Sequence, residues 1–279
     1  MDHTTEFASW TAFVDASKQP QNGNGTRTSR DVGNENWTGT KTFEEAISLA
    51  EKGWPEGLKK ISDLSSLFVT KVSEKMYRKE AVYSLVGPGT LNMSAYLSGY
   101  PAPFVVLRDT ETEIDAPIPR GILRMVVQIF VPAAASTESI FWRGAAATAL
   151  ADLLERHGYR VEIVGILCGA NSPRTSISQT IVTLKRASQP VNLETLAFVF
   201  AHNACFRRIG FGVGETYPPE VRREYGLGLD SAYYWFNTDV PKGNRGDIYI
   251  GKNEYWFTRE EVVTWITAQL KNQGIELEV

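Results

Sequence analysis

A short hydroxyl-rich run of chemistry-bearing side chains, Ser136, Thr137, Glu138 and Ser139, closes the stretch FVPAAASTES from Phe130 to Ser139. It lies between a strand-like run and a helix-like run, where α/β proteins hold ligands, phosphates or metal ions. A helix start offers free N–H groups and the positive end of the macrodipole, which suit an anion or a peptide carboxylate. The plainer use of Ser136 or Ser139 is to cap the helix with its own oxygen.

Other residues bear on catalysis and nucleic-acid binding. His202 stands three residues before Cys205, on one helix face if the segment is helical. A Cys/His pair can make a nucleophile; the plainer reading is a buried thiol beside a hydrogen-bonded His. His157 reads as a surface residue at a helix C-terminus and His3 as part of a mobile tail. No G-x-S-x-G elbow, P-loop or dinucleotide fingerprint follows a strand. The glycines of GFGVGE, at 210, 212 and 214, read as aids to close packing. In SAYYWFNTDVPKGNRGD, the residues Tyr233, Tyr234, Trp235, Lys242 and Arg245 interleave rings with cations, as a single-strand site does. The basic pairs Lys59-Lys60, Lys185-Arg186, Arg207-Arg208 and Arg222-Arg223 add local charge. A net charge of −3 gives no global basic field, so a nucleic-acid site has to be a local patch.

The elements that must position these residues follow from hydrophobic pattern. ILRMVVQIFV, YRVEIVGILC and SISQTIVTLKRA read as three strands, IGFGV as a short fourth, DIYIG as a fifth and IELEV as a sixth. Helices are expected in SIFWRGAAATALADLLERHG, in NLETLAFVFAHNACFRR with Asn192 as N-cap, and in TREEVVTWITAQLKNQG with a Thr258/Glu261 capping box. Strands two and three have too short a connection for a parallel crossover and must be antiparallel. The expected fold is therefore α/β: a mostly parallel six-stranded sheet with one antiparallel strand, helices on both faces, and an N-terminal α+β extension.

Upstream, residues 1–36 read as a mobile segment whose FASWTAFVDA portion can form a short docking helix. Residues 37–120 read as a helical hairpin, with Thr42 and Glu45 capping its first helix, followed by a β-rich extension around Gly-Pro-Gly. RDTETEIDAPIPRG reads as a polar loop. The sheet domain takes residues 121–279.

From Ile122 to Val279 the succession of elements resembles the von Willebrand factor A fold. That fold carries an Asp-x-Ser-x-Ser loop after its first strand, which binds Mg²⁺ with a Thr and an Asp from two other loops. Here the loop keeps hydroxyls at Ser136, Thr137 and Ser139 and lacks the Asp; Glu215 is the residue that can stand for the third-loop Asp. The resemblance thus makes Ser136, Thr137, Ser139 and Glu215 the ligand-binding candidates of a degenerate loop; no residue answers to the partner Thr, so the expectation is no cofactor and no bound metal, Mg²⁺ being the ion that the fold holds at this place. Three further motifs, NWTGTKTFEEAISLAEKGWPEG, RGAAATALADLLERHGYRVEI and LAFVFAHNACFRRIGF, are similar to an uncharacterised family associated with bacteriophages and plasmids, especially of actinobacteria. That likeness implies a mobile-element setting and no activity.

Cys168 and Cys205 form no C-x-x-C pair, which points to buried thiols in a reducing compartment. No apolar run approaches the roughly 18 residues of a membrane span, and the first residues do not read as a signal peptide. The expectation is a cytoplasmic, non-enzymatic binding or scaffolding protein with a protein partner, nucleic acid as the alternative partner and no membrane partner. A nucleic-acid-binding protein of phage or plasmid replication or packaging is the runner-up, and an enzyme with an unrecognised site the third reading.

Overall fold

A computed structural model of the chain describes residues 3–20, 28–31, 34–65, 74–86, 89–114, 120–129, 135–170, 175–225, 227, 247–251 and 258–275. The N-terminal elements are β1 (His3–Phe7), α1 (Trp10–Ser17), α2 (Glu35–Thr38), α3 (Phe43–Lys52) and α4 (Pro55–Ser65). Then come β2 (Glu74–Ser84), β3 (Thr90–Leu91), α5 (Met93–Leu97) and β4 (Phe104–Ile114). The third group is β5 (Gly121–Gln128), α6 (Thr137–Arg156), β6 (Tyr159–Ala170), β7 (Ile177–Lys185) and α7 (Leu193–Ala201). A π-helical turn, Cys205–Gly210, leads into α8 (Phe211–Thr216), α9 (Pro219–Tyr225), β8 (Ile248–Ile250) and α10 (Arg259–Asn272). By its contacts the chain forms two units, residues 1–69 with 120–279, and residues 70–119.

In the larger unit five strands run in the order β1-β7-β6-β5-β8. Three of the four pairings are parallel, and β6 with β7 is antiparallel. The short link between those two strands forces that geometry, as the sequence required. Two expected strands differ. Residues 209–213, IGFGV, are helical, continuing from the π-helical turn into α8. Of the expected sixth strand, residues 276–279 lie outside the described residues. The fifth strand of the sheet is instead β1, which pairs with β7 and carries His3, so His3 belongs to the sheet.

In the larger unit the described helices pack on one face of the sheet, where helices on both faces were expected. Among the described residues, α1, α3, α4, α6, α7, α8 and α10 bury apolar side chains in one cluster with Met125, Val127, Val161, Ile163 and Val182. The opposite face holds a separate small cluster of strand residues, Val126, Val164, Ile166 and Cys168, with Ile181 and Tyr249 against it. Helix α6 is buried almost all round, and its run of alanines lets α7 approach closely. Gly144 sits at that crossing: a Cβ there would stand 2.3 Å from the Ala201 Cα.

Within the N-terminal stretch that was expected to be mobile, the described residues of α1 and Ser29 pack into the larger unit. Trp10, Phe13 and Val14 of α1 are buried, and the Trp10 indole donates to the Ala50 carbonyl at 2.7 Å. Ser29, in the polar stretch, is fully buried. Its N–H and Oγ donate to the Glu215 carboxylate at 2.9 and 2.8 Å. Its carbonyl accepts from Arg208 at 2.9 Å.

In the smaller unit β4 pairs antiparallel with all of β2 and, at Phe104 and Val105, with β3. Residues 108–114, expected as loop, are the second half of β4. The register sets Lys75 opposite Glu113, Lys79 opposite Asp109 and Glu80 opposite Arg108. Alternation of Thr with charged residues gives both faces of this half a polar sequence, which hides the strand from a search for an apolar face.

Candidate functional site

The carboxyl end of β5 and the start of α6 hold the sequence-derived candidates, and their hydroxyls are engaged within the chain. Ser136 is the N-cap of α6: its backbone is extended and its Oγ accepts from the Ser139 N–H at 3.1 Å. The Ser139 hydroxyl, buried, donates to the Ser136 carbonyl at 3.0 Å. Thr137 Oγ1 accepts from Asn203 Nδ2 at 3.0 Å. Glu215, buried in α8, accepts from Ser29, and none of the three α6 hydroxyls hydrogen-bonds to it. Its expected place after a strand was wrong because that segment is helix. Nearby, Arg207 donates to the carbonyls of Trp37 at 2.7 Å and Ala135 at 3.4 Å, and lies over the Trp37 ring. Arg143 donates to the Gln128 carbonyl.

The Cys/His pair is spent in the same way. His202 ends α7; its Nδ1 accepts from the Ala204 N–H at 3.1 Å, and its ring stacks on Phe198 and meets Trp54 edge-on. Burial favours the neutral imidazole and lowers its pKa to about 4. Burial raises the Cys205 thiol, which favours the unreactive protonated form, and His202 and Cys205 share no side-chain hydrogen bond. Cys168, on the strand-only face, is likewise pushed up, to about 12. His157, expected at the surface, is buried, with Nδ1–H donating to the Leu153 carbonyl at 2.8 Å. The glycines at 210 and 212 do ease packing: a Cβ at Gly212 would stand 3.3 Å from both Phe43 and Ser17.

A second location was not singled out from the sequence. From Ala81 to Leu107 there is no Asp, Glu, Lys, Arg or His in 27 residues. The described residues of this stretch form the end of the β2–β4 ribbon, with β3 and α5. Tyr83, Leu85, Val86, Leu91, Met93, Tyr96, Leu97, Tyr100 and Leu107 are all exposed there, Leu97 to 76% and Leu107 to 64%. Ile122 is the tenth large hydrophobic exposed among the described residues, so the concentration in one segment is not chance scatter. Tyr83 and Tyr100 meet edge to face with centroids 5.6 Å apart, tying the ribbon to the loop after α5. α5 presents Met93, Tyr96 and Leu97 at spacings of three and four, capped by Asn92, whose Oδ1 accepts from Ala95 N–H at 3.1 Å. The missing charges were legible; their exposure was not.

A family model described as a domain of unknown function, DUF7192, matches residues 2–277. The chain belongs to this family. No curated protein and no solved structure matches it. The DUF7192 match spans both units and assigns no activity to any residue.

For this DUF7192 chain the nucleic-acid candidates Tyr233, Tyr234, Trp235, Lys242 and Arg245 lie outside the described residues. Of the four basic pairs, Arg207 and Arg208 are both buried. Lys185 is buried too, held by Glu155 at 2.6 Å and the Val161 carbonyl at 2.8 Å. These three cations brace the fold and offer nothing to a phosphate backbone. No described helix is long and apolar enough to cross a membrane.

Proposed function

We propose that this chain is a non-enzymatic binding or scaffolding protein of a bacteriophage or other mobile element, working through the uncharged tip of its smaller unit. One observation carries the reading: nine large hydrophobic side chains stand exposed together in a segment without a charge. Contiguous apolar surface beyond a few hundred Å² on a soluble protein marks an interaction site. The residues with the most obvious chemistry point the same way, since the α6 hydroxyls cap and brace their helix and His202 is held neutral between rings. The mobile-element setting rests on the likeness of the three sequence motifs.

The larger unit is, in the same proposal, a reduced von Willebrand factor A-like module. Support comes from the order β7-β6-β5-β8, with the third strand antiparallel, in the sequence succession expected of that fold. It departs in having a helical fourth segment, an added β1 and, among the described residues, helices on one face.

The test is affinity purification of the full chain from its host, as wild type and as the Leu97→Asp, Leu107→Asp double variant. The expected result is a partner retained by the wild type and lost by the variant, with identical far-UV circular dichroism. The same partners on both would remove the tip from consideration.

A further inference from the structure

We propose that the occupant of the tip is a second copy of this chain, so that the protein is a homodimer joined through residues 81–86 and 89–107; this rests on the reading of the tip as the working surface.

The first argument is charge. A two-fold interface sets one patch against itself, so any charge near the axis meets its own kind. A patch free of charged residues over its whole length is self-complementary without like-charge repulsion. The neighbouring half of the ribbon is different: Glu80 and Arg108 border the tip, and charges continue along both strands from there. Charge is excluded where the surface is apolar and resumes where the patch ends.

The second argument is area. Nine large side chains exposed by 37% to 76% leave open on the order of 1,000 Å², given about 150–250 Å² for a large side chain. One partner in a stable interface contributes about 800 Å². The register sets Tyr83 and Leu107 on one ribbon face and Leu91 on the other, so Leu91 adds nothing to an interface on the Tyr83 face; the remaining eight side chains still come near what one partner of a dimer supplies.

The third argument is the absence of an internal core. Between Ala81 and Leu107 none of the described side chains is buried; Val82, Phe104, Val105 and Val106 reach only partial burial. A two- or three-stranded ribbon without a covered apolar face is marginal in water. Association supplies the cover: two copies stacked by their tips form a small two-layered core from Tyr83, Met93, Tyr96, Leu97 and Leu107 of each.

The test uses the full chain. Sedimentation velocity over a wide concentration range is expected to show a monomer–dimer equilibrium. Leu97→Asp with Leu107→Asp should weaken it about tenfold or more, with the unfolding midpoint of the dilute protein unchanged. A second variant does not depend on weakening anything. Cys168 and Cys205 are both buried, so Ser98→Cys supplies the accessible thiol among the described residues. Mild oxidation should give a disulfide-linked dimer, and Leu97→Asp in the same chain should abolish it. A wild type that stays monomeric at every concentration overturns the proposal, as does a dimer that the tip substitutions leave intact. A monomer that loses a different protein, or loses flotation with phosphatidylcholine vesicles, on tip substitution also overturns the dimer while leaving the tip as the working surface. A chain indifferent to tip substitution in every one of these assays overturns both.

Discussion

Arg208 is fully buried and spends its guanidinium on neutral oxygens: the carbonyls of Ser29, Thr40 and Lys41 and the hydroxyls of Thr38 and Thr40. It thereby fastens the polar segment before α3 to the π-helical turn, 167 to 179 residues away in sequence. Arg208→Met leaves those oxygens buried without a donor, so the cost should be about 3 kcal/mol or more. Arg208→Lys should recover little, since an ammonium cannot reproduce the planar fork. Urea unfolding measures both; a loss below ~0.5 kcal/mol would show that the clamp is decorative. His202 gives the second residue-level prediction. Its pKa is about 4 when folded against 6.5 in the unfolded chain. Between those values the unfolded chain takes the proton first, so the contribution is intact above 6.5 and is lost as pH falls toward 4. At about pH 5 the wild type should have lost ~1–2 kcal/mol relative to neutral pH through this residue. His202→Asn keeps an acceptor for the Ala204 N–H and removes the titration, so its stability should fall less over that range. Equal slopes for both proteins would assign the pH dependence to other groups. Neither role was visible in the sequence, because both depend on what is buried beside the residue.

At the scale of elements, the sequence revealed what periodicity and punctuation encode. Strands β5, β6, β7 and β8, helices α3, α4, α6, α7 and α10, and the caps Thr42, Asn192 and Thr258 stand where pattern placed them. Residues 209–213, expected as a strand, failed for a definable reason. They are buried almost all round, so no apolar face distinguishes helix from strand. Gly210 and Gly212 also lower helix propensity by about 1 kcal/mol each, and tertiary packing overrides them. The candidate site was half legible in the same sense: the hydroxyl run does open α6, but only coordinates reveal that its oxygens face their own helix and Asn203. The α6–α7 crossing gives a sharp test. Gly144→Ala adds a methyl where the Ala201 backbone already lies, at 2.3 Å from both its N and its Cα. Both neighbours are backbone and cannot step aside, so the helices must separate, at a cost of about 1–3 kcal/mol or more. Gly144→Ala should lower the thermal midpoint, whereas an alanine in the middle of an ordinary helix would raise it; an unchanged or higher midpoint would mean that the two helices are not in this register.

For the molecule as a whole, the two units differ in what holds them together. The larger unit buries a continuous apolar cluster that runs from α1 to α10. The smaller unit, among its described side chains, contributes no residue to any buried cluster. Hydrogen exchange should separate them. Amides of β5 and β6 sit in the middle of the five-stranded sheet and should exchange only through global opening. Amides of β2 and β4 near Val82 and Val106 depend on a ribbon with no covered core, and in dilute protein they should exchange through local opening, orders of magnitude sooner. As concentration rises, protection at Val82, Phe104 and Val106 should increase while that of Val126 and Val164 stays fixed, because mass action stabilises only the surface that association covers. Leu97→Asp should erase that concentration dependence without altering the slow amides. Uniform slow exchange across both units would mean that the ribbon draws its stability from within a single chain, and the reason for a second copy would be gone.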